Sequence, residues 1–178
     1  MACTVIANWD LCTEGGSTGG IDEIKLLRSD EFDSVTLGTE GEITAITLTS
    51  GATEGFQKID FISQGAQDVD SIAVTNQGTN VVDTNTLTVI VPKQTQAKWK
   101  FVLDITDCVC GLIIYYKDLN GEEWLLGTEG EKQRSYVTQI DADTGLAFAD
   151  ANQITFTFTT IGKVAKRNAN GITLPTIP

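Results

Sequence analysis

With 178 residues, 41% of them hydrophobic and 20% charged, and no long polar tract, the chain has enough material for one well-filled core and reads as globular. A net charge of −12 disfavours binding to phosphate, and the lack of any histidine means that neither a Ser–His nor a Cys–His nucleophile can be built. No apolar run is long enough to cross a bilayer, and the opening MACTVIANWDLC lacks the basic start and apolar run of a signal peptide, so a soluble chain made in a cytoplasm is expected.

Seventeen glycines and abundant Thr, Ile and Val point to turns and strands. Met1–Gly20, which ends in GGSTGG, reads as an N-terminal arm. Ile21–Arg28 (IDEIKLLR) begins a strand, SDEFD turns, and Ser34–Leu37 continues as a second strand. After LGTEG, Glu42–Thr49 (EITAITLT) shows the period-two alternation of a strand with β-branched residues. SGATEG turns the chain into a further strand, Phe56–Ser63. Asp68–Thr75 and Leu87–Val91 then flank the polar NQGTNVVDTN, which reads as a long loop or an extended hairpin. Pro92 changes the period. Within Lys93–Thr106, Ala97, Phe101 and Ile105 recur at spacing four with Val102 beside them, which predicts one amphipathic helix at about 93–106. Cys108–Lys117 is a strongly apolar strand, Asn120–Gly121 predicts a two-residue hairpin turn, and Glu122–Leu126 returns. Glu131–Ile140, the turn DADTG and the strand Gln153–Ile161 follow. Lys163–Pro178 reads as a C-terminal arm, leaving 21–162 as a single β-rich domain.

The hexapeptide LGTEGE occurs at Leu37–Glu42 and again at Leu126–Glu131. Both copies are preceded by strand, charged turn, strand, and followed by strand, Gly-containing turn, strand. That shared order predicts an internal duplication, with pseudo-repeats at about 21–63 and 110–161. The competing reading is that Gly-Thr-Glu-Gly is simply a favourable turn composition.

No constellation reads as an active site, and the chain is not expected to be an enzyme. Cys3, Cys12, Cys108 and Cys110 equal the ligand number of a structural zinc site, but their spacings do not match one. Buried reduced thiols are the expected state, with a Cys3–Cys12 disulfide as the alternative. Asp143-Thr144-Gly145 has the letters of an aspartic-protease triplet, yet it sits among acidic turn residues rather than after an apolar strand. Asp141, Asp143 and Asp150 lack the spacing of a calcium loop and read as solvated turn charge. No catalytic, cofactor-binding or metal-binding residue is assigned.

The run LIIYYKDLNGEEWLLGTEGEKQ, followed by DADTGLAFADANQITFTFT, resembles structural proteins of tailed phages infecting Bacteroidetes, and among them the major tail protein. The likeness covers roughly Cys108–Lys163. Asp150-Ala151-Asn152-Gln153 departs from the Asp-x-Asn-Gly expected before the last strand. The resemblance implies a mainly β fold of two packed antiparallel sheets, sandwich- or barrel-like, with one flanking helix. It also implies a virion location and a self-assembling tail-tube subunit with no catalytic residues. Its partners would be copies of itself in hexameric rings, other virion proteins, and DNA passing through the lumen without specific binding. Surplus negative charge along such a channel would keep DNA from adhering. Two rival readings are another virion component, such as a capsid decoration or head–tail joining protein, and a carbohydrate-binding β-module using Trp9, Trp99 and Trp124. The core is the expected place for Trp99 and Trp124.

Overall fold

A computed structural model of the protein describes residues 19–62, 65–75, 80–107, 111–130, 133–144 and 152–175. The strands are β1 (Ile21–Arg28), β2 (Phe32–Leu37), β3 (Ile43–Leu48), β4 (Gln57–Ile59), β5 (Ala66–Thr75), β6 (Asn80–Pro92), β7 (Leu112–Asp118), β8 (Glu123–Leu126), β9 (Ser135–Asp143), β10 (Gln153–Gly162) and β11 (Lys166–Asn168). One helix, α1 (Gln96–Thr106), lies between β6 and β7. The strands form two antiparallel sheets, one of nine strands and one of two, and neither closes into a barrel.

The large sheet has two halves. In the first, β7 carries β1 on one edge and β8 on the other, extended by β4 and β11. In the second the order is β9-β10-β6-β5. The halves are joined by a single residue pair, Leu112 with Ser135. Gly127 makes this crease possible: its φ is 81°, and an added Cβ would lie 2.8 Å from the Leu112 carbonyl oxygen and 2.9 Å from the Ser135 nitrogen.

Sequence alternation decides where each half points. On β1, Ile24 and Leu26 face one way with Ile114, Tyr116 and Leu126, while Leu27 faces the other with Ile113 and Leu125. The first set packs with Leu87, Val89, Ile154, Phe156 and Phe158 of the second half, and with Val102 and Ile105 of α1. The second set is covered by the β2–β3 hairpin, through Phe32 and Ile43, and by Ala169, Ile172 and Leu174. With a core on each side, β7 needs a continuous apolar run, and LIIYY is buried throughout. In contrast β10 alternates, with Ile154, Phe156 and Phe158 inward and the residues between them partly exposed.

The helix starts later than the spacing predicts. Lys93 has φ 59°, and Thr95 is extended and accepts from the Lys98 N–H as N-cap, so α1 begins at Gln96. Phe101 meets Phe156 edge to face at 6.0 Å, fixing α1 on the core side of the second half.

Several other expectations are corrected. The strand expected over Phe56–Ser63 is reduced to β4. Of the two readings of NQGTNVVDTN, the extended hairpin is the one found: Asn80–Asn85 is strand within the thirteen-residue β6, paired with the ten-residue β5, and residues 76–79 lie outside the described residues. The expected two-residue turn at Asn120–Gly121 is a three-residue loop, Leu119–Gly121. There Asp118 N–H donates to Glu122 O and Gly121 takes φ 91°. The expected DADTG turn is strand through Asp143. The C-terminal arm is packed rather than free as far as residue 175: β11 pairs with β8, and Ala165 and Ala169 are buried. Cations and apolar residues both tie this segment down: Lys166 and Arg167 pair with Asp68 and Glu129, and Ala169, Ile172 and Leu174 pack in the second core.

The two LGTEG copies hold different positions. Leu37–Glu42 closes the β2–β3 hairpin, whereas the second copy leads from β8 across the crease toward β9. They meet at one side chain: Arg167 donates from Nη1 to Gly41 O at 2.8 Å and from Nε to Glu129 Oε1 at 2.8 Å.

Candidate functional site

The most unusual surface belongs to the four-stranded half, both of whose outer strands have an edge unpaired among the described residues. Among those residues β5 pairs only with β6, and β9 pairs with β10 along its length but with β7 only at Ser135. Free edges of this length are a template for another chain unless something covers them.

The β5–β6 hairpin continues past the body, because β10 ends opposite Asp83 while β6 begins at Asn80. Its projecting end is apolar on both faces. Pairing register places Ile72 and Val81 on the core-facing side and Ala73 and Val82 on the opposite side. Ile72 is 65% exposed and Val81 and Val82 about two-fifths exposed, with Val69 and Ile161 open nearby. Single exposed apolar residues are ordinary, but a group with Ile72, Val81 and Val82 at the hairpin end and Val69 and Ile161 below it is an interaction feature.

The open face of the same half has a threonine-rich centre, bordered by the exposed Val69, Tyr136 and Ile161. Register brings Thr84, Thr86 and Thr88 of β6 beside Thr155, Thr157 and Thr159 of β10, flanked by Gln67 and Gln139. Thr138 joins this layer through its hydroxyl, 3.0 Å from that of Thr159. The only charges on this face among the described residues are Asp141 and Asp143 of β9.

An ionic lock anchors the hairpin base. Lys166 Nζ donates to Asp68 Oδ2 at 2.9 Å and also pairs with Asp70. The Tyr116 hydroxyl donates to the same Asp68 oxygen at 2.6 Å, and Asn85 donates to Asp70. Ala165 N–H donates to Asp83 Oδ2 at 2.8 Å. Burial tends to lower the Lys166 pKa, but the hydrogen bonds and charges of Asp68 and Asp70 outweigh it and hold the ammonium above its ordinary value. Burial, reinforced by Asp68, raises the Tyr116 phenol well above its usual range, so it stays protonated. These groups border a cleft of about 720 Å³ shared with Gly20, Asp118 and Trp124. Each polar head is engaged with a neighbour, and Lys166 Nζ sits 4.7 Å from the Trp124 ring centroid, occupying the face a sugar would stack on.

A second buried carboxylate, Glu31, accepts from the backbone N–H groups of Thr53, Glu54 and Gly55 and from the Thr53 hydroxyl. Burial raises its pKa, but these donors outweigh that and leave it below the usual carboxylate range. It fixes the loop before β4.

Of the residues singled out in the sequence, Cys3, Cys12, Cys108, Cys110, Trp9, Gly145 and Asp150 lie outside the described residues. Asp141 and Asp143 stand two apart on the open face of β9, and Gln139 donates to Asp141 at 2.6 Å. Among the described residues no three Asp, Glu or Cys side chains are grouped to hold a metal, and no helix is long and apolar enough to span a membrane. Trp124 packs against the main core, but Trp99 does not: it is 41% exposed, because Phe101, Val102 and Ile105 form the helix's inward stripe. Lys166 and Arg167 find their acidic neighbours within the chain. Sequence spacing carries no signal for these pairs, whose members are 98 and 38 residues apart.

Comparison with family models, with curated proteins and with solved structures found no match.

Proposed function

We propose that this chain is a self-assembling structural subunit of the phage tail-tube kind, forming hexameric rings that stack into a DNA conduit. The observation that carries the reading is the pair of free edges on the β9-β10-β6-β5 half. Successive strands there alternate in direction, so β5 and β9 are antiparallel to each other. Joining β5 of one copy to β9 of the next therefore continues the alternation without a mismatch. Repetition around a ring closes this half into a continuous sheet and covers both of these edges.

The chemistry of the open face supports the same reading. If that face lines the lumen, DNA meets hydroxyls, amides, the apolar or aromatic Val69, Tyr136 and Ile161 and the carboxylates of Asp141 and Asp143, and no lysine or arginine among the described residues of these strands' outward positions. Affinity for nucleic acid rests mainly on cations neutralising phosphate, so such a wall does not hold its cargo. The lining is sparser in carboxylates than the net charge suggests; the absence of cations does the work expected of surplus acid.

The test is negative-stain imaging of the purified protein at high concentration, paired with sedimentation velocity. Rings or tubes of constant diameter are expected. A single monomeric boundary at every concentration refutes the reading. Isolated rings that never stack, or binding only to preformed capsids, would favour a connector or decoration role instead.

A further inference from the structure

We draw no further inference here: the strongest candidate, the cleft of about 720 Å³ at the hairpin base bordered by Asp68, Tyr116, Trp124 and Lys166, carries nothing because Tyr116 and Lys166 are spent on Asp68, Lys166 covers the Trp124 ring, and the unpartnered Asp68 Oδ1 is buried out of a ligand's reach.

Discussion

Replacing Lys166 by alanine removes the cation that holds β11 against the hairpin base. Its ammonium serves Asp68 and Asp70 at once and lies over the Trp124 ring. Breaking a fully buried ion pair from one side costs about 3–5 kcal/mol, and an exposed pair is worth under about 1. The Lys166 and Asp68 side chains are 19% and 9% exposed, nearer the buried limit, and Asp68 Oδ1 already lacks a hydrogen-bond partner. Partial exposure reduces the figure, so the expected loss is about 2–3 kcal/mol, a fall of roughly 5–10 °C in Tm for a domain of this size. Urea denaturation followed by tryptophan fluorescence measures it directly. The folded pKa of Lys166 is raised, so its contribution is complete below the unfolded value of about 10.4 and fades only as pH rises through the folded one. The deficit of the variant should accordingly be constant from pH 6 to about 9 and shrink only in strong alkali. Neutralising the whole cluster, with Lys166→Met, Asp68→Asn and Asp70→Asn together, should recover most of the loss, because no unpaired charge is left behind. A Lys166→Ala variant within about 0.5 kcal/mol of the original refutes the lock, since that is the range of an ordinary surface substitution.

Phe156→Ala, at the meeting of Phe101 and Phe158, should cost about 3–5 kcal/mol in the same urea assay; a smaller loss would mean that the helix does not pack there. Because the Glu31 pKa is depressed on folding, its contribution is full above about pH 4.3 and is lost as pH falls through the folded value. Glu31→Gln should therefore lose about 1–3 kcal/mol at neutral pH and flatten the acid limb of the stability profile, and an unchanged acid limb would rule out the clasp. Gly127→Ala should destabilise far more than Gly130→Ala, although both have positive φ, because only the first adds a Cβ against backbone at the crease; equal losses in thermal melts would place the crease elsewhere.

What could be read without coordinates was what periodicity encodes. QITFTFTTI alternates cleanly and is β10, and the apolar LIIYY is the doubly covered β7. β6 was harder because in its early residues, VVDTNT, the buried positions are the polar Asp83 and Asn85 while Val81 and Val82 are exposed, so burial leaves no hydrophobic alternation there. The helix start was hidden in a single backbone angle, at Lys93. Trp99 was expected inside on hydrophobicity alone, but the inward stripe of α1 already has its aromatic in Phe101. The C-terminal strand KRN contains no apolar residue at all. Its place is set by Asp68, Glu129 and the β8 ladder, partners far away in sequence and invisible to any local window.

That last arrangement governs timing. Lys166 reaches back 98 residues to Asp68, Ala165 reaches 82 to Asp83, and Arg167 reaches 126 to Gly41. A ribosome makes each of these donors long after its acceptor. During synthesis the hairpin base therefore carries uncompensated aspartates, and the β2–β3 loop is untethered, until the late segment emerges and docks. Contacts between residues so distant in sequence form slowly and report that nearly all of the chain is present. If copies of the chain assemble as proposed, repulsion among the bare aspartates of neighbouring nascent chains would hold unfinished hairpins apart. The closing stitch would then come only to chains translated past Arg167.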